Sequence, residues 1–192
     1  MNMKTHYLLM KNILDSIPYP DRVNGLDRIL ILSGATITDI SPSRFFHAHY
    51  YLKSLEYICS QIQKLEKKEH WNKRDIFNAG KQFHYLMDFF CAMHQGKGLR
   101  KPAKHVKYER DLYIYISEKD GGSEREYIPS VFIRDKWIQN LHEKYESKEV
   151  SFENDIAYSA AACKTFMYMV VSKIQKHPIT QADLEPGEFS MQ

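Results

Sequence analysis

Residues 83–95, F-H-Y-L-M-D-F-F-C-A-M-H-Q, place two histidines and one aspartate among aromatic and aliphatic side chains. In a helix with about 100° between successive residues, His84, Asp88 and His94 fall within one sector of about 120°. Several apolar side chains share that sector, so these polar groups are predicted to point toward the core. A buried carboxylate is costly unless a partner compensates its charge. The stretch therefore predicts a long amphipathic helix with a positively charged partner beside Asp88.

The spacing of histidines and acids indicates metal binding. His84 and Asp88 are four residues apart, which places both on one face of a helix, one turn apart. His105 and Glu109, in H-V-K-Y-E, repeat that arrangement. A neutral imidazole can ligate a cation, and a carboxylate supplies compensating negative charge. Each pair alone is more often a simple hydrogen-bonded pair, but the two together favour a metal site.

Length and composition favour one globular domain. The chain has 192 residues, of which 43% are hydrophobic and 13% aromatic, unlike a disordered or fibrous protein. We expect one domain over residues 1–178 and a C-terminal tail over 179–192. The net charge of +3 argues against an extended nucleic-acid surface. Cys59, Cys91 and Cys163 form an odd set without a C-x-x-C pair, so neither a disulfide framework nor a thiolate zinc site is indicated.

Periodicity predicts an all-α fold. Prolines and glycines cluster between segments of helical periodicity, and only L-Y-I-Y-I at 112–116 resembles a strand. We favour a helix for that segment as well. The predicted helices cover residues 4–16, 22–34, 42–68, 72–95, 104–117, 130–147 and 151–176.

The sequence also predicts a cytoplasmic location. No apolar run approaches the roughly 18 residues that suggest a membrane span. The start of the chain is interrupted by His6, Lys11 and Asp15 before any long apolar region, so it does not resemble a secretory leader.

The order of the motifs resembles the zinc-dependent phospholipase C and P1/S1 nuclease family. The family signature is H-x-x-x-D, a histidine in a P-M-H-like sequence, and then H-x-x-x-E or H-x-x-x-D. Here H-Y-L-M-D, A-M-H and H-V-K-Y-E follow that order. The family's early histidine-bearing helix resembles T-H-Y-L-L-M-K-N-I-L at His6, and its next two ligands resemble Asp39 and A-H-Y-Y at His49. The resemblance implies a single-domain helical bundle with the metals at the bottom of a cleft.

The resemblance implies a ligand set for two zinc ions and a possible third. The first zinc would be held by Asp39, His49, His84 and Asp88. Asp88 would also bridge toward the third zinc, whose other protein ligand would be His6. Asp39 would in addition be the catalytic general base.

The second zinc would be held by His94, His105 and Glu109. A duplicate H-x-K-Y-E motif at His142 and Glu146 is the alternative to the last two of these ligands. We prefer the first copy because its distance from His94 suits the family spacing.

Two further points concern the start of the ligand set. His47 is the alternative to His49, which is preferred because an aromatic pair directly follows it. Family members use a terminal Trp amine for the third metal, and no Trp lies near the start of this chain. We therefore expect His6 to reach the site, and a third metal that is weaker than the other two or takes waters in place of the terminus. Deleting residues 1–3 should leave the two strong metals and much of any activity. The alternative is a terminal clamp in which Met1, or a newly exposed residue such as Met3, folds back over the cleft.

The implied function is phosphate-ester hydrolysis by a metal-activated water. A His and carboxylate set without Cys suits hydrolytic zinc. The substrate would be a small phosphoester or a phospholipid headgroup, and phospholipase C-like activity is favoured over nuclease activity on nucleic acid. The other alternative is a metal-binding protein of this fold whose chemistry was lost or became biosynthetic.

Overall fold

The computed structural model describes residues 1–16, 23, 25–40, 49–95, 102–118 and 136–175. Seven α-helices occupy these ranges, and no strand occurs within them. In chain order the helices are α1 (Met3–Asp15), α2 (Gly25–Ile37), α3 (Tyr51–Glu66), α4 (Lys73–Phe89), α5 (Pro102–Glu118), α6 (Trp137–Glu146) and α7 (Phe152–Gln175). Short 3-10 turns follow α2 at Thr38–Ile40 and α4 at Ala92–His94. The predicted all-α fold is confirmed.

Each predicted helix overlaps an observed one, because hydrophobic periodicity and polar caps act together. L-Y-I-Y-I at 112–116 is helical within α5, as predicted. At the start of α1, the side chain of Asn2 accepts a hydrogen bond from the backbone N–H of Thr5 at 3.0 Å. At the start of α4, Asn72 and Asp75 form a reciprocal capping box. Both caps satisfy backbone donors that have no partner within the helix.

The helix predicted at 72–95 is shorter in the structure. α4 ends at Phe89, and His94 lies on the following 3-10 turn. The side-chain amide of Gln95 donates to the carbonyl oxygens of Phe89 and Cys91, at 2.7 and 3.1 Å. These bonds satisfy carbonyl groups at the helix end. The prediction that His94 shares one helix with the other polar residues of this stretch was therefore wrong.

The helix predicted at 42–68 also begins later than expected. α3 starts at Tyr51, and a bend at residues 49–50 precedes it. His49 is therefore on the approach to the helix and not within it. Residues 41–48 lie outside the described residues.

α4 is the central helix of the bundle. It packs against α2, α3 and α7, and residues 82–89 are all buried. A Cβ on Gly34 of α2 would lie only 2.8 Å from the Cα of Gly80 of α4, so the two backbones cross closer than any side chain would allow. Because His84 lies one turn after Gly80, this crossing brings it beside Asp39 at the end of α2.

One apolar core includes buried side chains from all seven helices. The predicted tail at 179–192 lies outside the described residues, so the domain boundary at 178 stays a prediction. No helix among the described residues is long and apolar enough to cross a bilayer. The cytoplasmic location likewise stays a prediction.

Candidate metal centre

Eight side chains that the sequence singled out converge from six segments of the chain. They are His6 on α1, Asp39 on the turn after α2, His49 before α3, His84 and Asp88 on α4, His94 on the turn after α4, and His105 and Glu109 on α5. They form three groups in which the possible ligand atoms lie within 4.8 Å of one another. Two of these groups share His84, namely the first group described below and the group of His6, His84 and Asp88.

The first group consists of Asp39, His49 and His84. Asp39 Oδ1 lies 3.6 Å from His49 Nδ1 and 3.5 Å from His84 Nε2, and the two nitrogens are 3.1 Å apart. Burial raises the pKa of the Asp39 carboxyl. Two imidazole nitrogens at such a distance are satisfied when one donates to the other, or when both ligate one cation.

Asp88 faces both sides of the centre, because its two carboxylate oxygens have different neighbours. Oδ2 lies 3.1 Å from His49 Nδ1 and 3.3 Å from His84 Nε2. Oδ1 lies 3.3 Å from His6 Nε2 and 3.6 Å from His94 Nε2. Burial opposes the charge of Asp88, but the surrounding positive groups, His94 foremost, hold the pKa of its carboxyl well below the usual range. Histidine rings therefore surround this buried carboxylate, and its predicted positively charged partner is the Met1 ammonium, which donates to Oδ1.

The second group consists of His94, His105 and Glu109. Glu109 Oε1 accepts a hydrogen bond from His105 Nε2 at 2.8 Å and lies 3.5 Å from His94 Nε2. The two imidazole rings meet edge to face with their centroids 5.0 Å apart. Burial alone would raise the pKa of Glu109, but the two histidines outweigh it and hold that pKa below the usual range. Glu109 is therefore an anion that lies between the His94 and His105 rings.

Backbone carbonyl groups fix the ring orientation of two of these histidines. His84 Nδ1 donates to the carbonyl oxygen of Ala35 at 2.9 Å, and His94 Nδ1 donates to that of His49 at 2.8 Å. A carbonyl oxygen only accepts, so Nδ1 carries the proton in both rings. In the neutral ring, Nε2 is then free to ligate a metal, and metal-binding histidines commonly use such a carbonyl partner.

His6 is fully buried, and neither of its ring nitrogens makes a hydrogen bond among the described residues. Burial, with His84 close by, lowers the pKa of His6 well below its usual value. The ring stacks on that of His84 with the centroids 3.8 Å apart. A neutral imidazole can ligate a metal, and a buried ring nitrogen without a hydrogen bond needs a partner of some kind.

The start of the chain differs from the expectation that it takes no part in the site. Met1 is buried, and its amine donates to the carboxylate of Asp88 and lies 2.8 Å from His94 Nε2. Glu109 Oε1 is 3.4 Å away. Burial disfavours the ammonium, but the carboxylates outweigh it and raise the pKa of the amine to about 11. Asn2 anchors this segment by donating to the Glu109 carbonyl oxygen at 3.2 Å.

The residues present fit a metal ion on two observations. First, the Nε2 atom of His49 and both nitrogens of His6 are buried without a hydrogen bond within the described part of the chain, and a buried polar atom normally has a partner. Second, the donors are imidazole nitrogens and carboxylate oxygens, the set that suits hydrolytic zinc. The ammonium of Met1 between Asp88 and Glu109 further indicates that this part of the site favours positive charge.

The sequence left alternative residues open at two places in the ligand set, and the described residues include only one of these alternatives. His47 lies outside the described residues. His142, from the duplicate motif, belongs to none of the three groups. Its ring stacks on Tyr51 at 3.4 Å between centroids, and its Nε2 donates to Gln95 Oε1 at 2.6 Å. The first copy of the motif, at His105 and Glu109, is the one that lies beside His94.

Sequence reasoning did not single out Asp155, a buried carboxylate on α7. It accepts hydrogen bonds from the backbone N–H of Ala92 and from the hydroxyls of Tyr108 and Tyr145. Acids are common in the first turn of a helix, where they complement its dipole. Nothing in the sequence therefore distinguished Asp155 from an ordinary helix-start acid.

Comparison with known proteins identifies the family. Neither a search of curated proteins nor a search of solved structures gave a match. A family model described as zinc dependent phospholipase C matches residues 5–157, which include all eight converging side chains. The resemblance noted in the sequence is confirmed, and the all-α bundle is consistent with that fold. The chain belongs to the zinc-dependent phospholipase C family.

Proposed function

We propose that the chain is a zinc-dependent hydrolase that cleaves a phosphodiester of the phospholipid-headgroup type. The observation that carries this proposal is the convergence of eight histidine and acidic side chains, among which His6 and His49 have buried nitrogens without hydrogen bonds among the described residues. Family membership supports the same reaction class.

The first zinc would be held by Asp39, His49, His84 and Asp88, since all four approach one small volume. Asp88 would also bridge toward a third ion beside His6, because its second oxygen faces that ring.

The second zinc would be held by His94, His105 and Glu109. Three protein ligands leave a position open for water or substrate, which is typical of catalytic zinc. When bound, zinc would lower the pKa of a water and stabilise negative charge on phosphate oxygens.

The side chains themselves supply the proton transfer and the orientation. Asp39 would be the general base because its side chain is the most exposed of the three carboxylates, at 23% compared with 15% for Glu109 and 0% for Asp88. A proton acceptor must reach the attacking water in a substrate complex. The carbonyl groups that accept from the Nδ1 atoms of His84 and His94 would hold those rings in place while substrate binds.

The test is hydrolysis by the full chain after zinc reconstitution. The substrate panel contains chromogenic phosphodiesters and phosphomonoesters, a short-chain phospholipid and single-stranded nucleic acid. We expect hydrolysis of the phosphodiester and phospholipid, a loss of about 100-fold or more in Asp39→Asn, and near-normal rates in Asp27→Asn. Asp27 is the matched control because it is a buried aspartate in the first turn of α2, the helix that leads into the 3-10 turn carrying Asp39.

The other outcomes separate the alternatives. Preferential cleavage of nucleic acid would replace phospholipase activity with nuclease activity. Zinc binding without hydrolysis of any substrate would contradict the proposed reaction and favour a metal-binding protein of this fold. Equal rates in the Asp39 and Asp27 variants would contradict the role of Asp39.

A further inference from the structure

Asp155 on α7 joins two segments that carry the second group of side chains. Its side chain is fully buried. Oδ2 accepts from the backbone N–H of Ala92 at 3.0 Å and from the hydroxyl of Tyr108 at 2.8 Å. Oδ1 accepts from the hydroxyl of Tyr145 at 2.6 Å. One carboxylate therefore holds three donors from three separate elements.

Two of those donors lie next to candidate ligands. Ala92 begins the 3-10 turn that carries His94. Tyr108 directly precedes Glu109 on α5 and follows His105 by three residues. The same oxygen of Asp155 thus connects the turn to the helix.

The third donor to Asp155 comes from a helix that carries none of the candidate ligands. Tyr145 lies on α6, which contributes no side chain to any of the three groups. Its hydroxyl uses the other oxygen of Asp155. The Tyr145 ring also packs edge to face on Phe90, with the centroids 5.7 Å apart, but a change to phenylalanine keeps that ring. Tyr145→Phe is therefore a natural control, because it removes only a hydroxyl that bonds to the same carboxylate from a helix outside the three groups.

The second group depends on the relative position of the two segments. His94 Nε2 and Glu109 Oε1 lie 3.5 Å apart although they come from different elements. Hydrogen bonds of 2.8 and 3.0 Å to one buried oxygen restrict how far the joined segments can move. An asparagine at position 155 would keep the size of the side chain but present an amide N–H₂ to at least one donor.

We propose that Asp155 is a positioning residue for the group formed by His94, His105 and Glu109. It holds the turn and α5 in the register that lets the three side chains share one zinc. This role rests on the proposed zinc site, but the hydrogen bonds that carry it join protein groups only.

The test compares Asp155→Asn, Tyr108→Phe and Tyr145→Phe in the full chain. Zinc affinity is measured by competition with a chromogenic chelator. We expect Asp155→Asn and Tyr108→Phe to weaken one zinc by about 10-fold to 100-fold and to leave the other unchanged, as for other outer partners of metal ligands. Tyr145→Phe should bind both ions as the wild type does. If Asp155→Asn does not fold, the difference in zinc affinity between Tyr108→Phe and Tyr145→Phe tests the positioning role.

A second measurement uses zinc-free protein. Histidine ring signals in ¹H–¹⁵N spectra should shift for His94 and His105 in Asp155→Asn and Tyr108→Phe, while those of His6 stay in place. Tyr145→Phe should leave all three unchanged. If the wild type does not bind zinc, the proposed function is refuted. The spectra of zinc-free protein would still test the positioning role, because they do not depend on bound metal.

Two results would overturn the positioning role. In the first, Asp155→Asn and Tyr108→Phe bind both ions as the wild type does and show unshifted His94 and His105 signals. In the second, both tyrosine variants weaken zinc binding equally, which would make Asp155 a general contributor to the core.

Discussion

Replacing Gly34 with alanine tests whether the crossing of α2 and α4 positions the site. An added Cβ would lie 2.3 Å from the carbonyl oxygen of Phe77 and 2.8 Å from the Cα of Gly80. Both neighbours are backbone atoms, so no side-chain rotation relieves the contact. Reaching an ordinary separation of 3.4 Å from the carbonyl oxygen requires the helices to move apart by about 1.1 Å.

The expected cost follows from two opposing effects. Alanine stabilises a helix interior by about 0.5–1 kcal/mol relative to glycine, while overpacking typically costs about 1–3 kcal/mol. Because the contact is between backbones, the overpacking cost should lie near the upper end of its range, at about 3 kcal/mol. The free energy of unfolding should fall by roughly 2 kcal/mol, which corresponds to a Tm about 4–8 °C lower for a chain of this size.

The same displacement should disturb the candidate metal centre. The carbonyl oxygen of Ala35, the residue after Gly34, accepts from His84 Nδ1 at 2.9 Å. A movement of about 1 Å would take this pair beyond hydrogen-bond distance. Asp39, at the end of α2, would also move away from His84. Zinc affinity should therefore fall together with stability.

The assay is thermal unfolding of zinc-free protein by circular dichroism, followed by zinc titration. Gly25→Ala is the matched control, because a Cβ at that position of α2 has no atom within 4 Å. It should be neutral or slightly stabilising. Equal Tm values for the two variants would refute the close crossing, and a lower Tm with unchanged zinc affinity would refute its role in positioning the site.

Other variants distinguish the roles of individual ligands. Asp88→Asn should lose more zinc and more thermal stability than Glu109→Gln, because Asp88 faces both sides of the centre; equal losses, by elemental analysis and calorimetry, would count against bridging. His105→Ala should remove one zinc because it deletes a proposed direct ligand, whereas His142→Ala should keep both ions and lose about 2 kcal/mol of stability. The reverse result in a zinc titration would relocate the second group. Protein with free zinc at about 100 times its Kd should lose about 5–11 °C in Tm when a chelator removes the metal. An unchanged melting curve would contradict coupling between zinc binding and stability.

The helices were predictable because their signals are local. The i, i+4 spacing of His84 and Asp88 placed both on the buried face of α4, and both are fully buried. The end of α4 was not predictable. The sequence F-F-C-A-M-H contains no glycine or proline, and the helix stops where Gln95 and Asp155 satisfy backbone groups from outside it. A stop made by tertiary contacts leaves no signal in the local pattern.

Local spacing identified the histidine and acid pairs of the candidate site but did not choose between duplicate copies. His105 and His142 occur in the same H-x-K-Y-E pattern, and only distant partners separate them. His142 stacks on Tyr51, while His105 meets Glu109 beside His94. Family order selected the copy that lies beside His94, which residue spacing within the motif could not do.

The central claim is that the converging side chains hold zinc, and elemental analysis of the full chain tests it most directly. Protein is purified without chelator, reconstituted with zinc and freed of excess metal before zinc and protein are quantified. The account predicts at least two zinc ions per chain. Substoichiometric zinc after reconstitution, in protein whose circular dichroism shows the folded helical bundle, would contradict it.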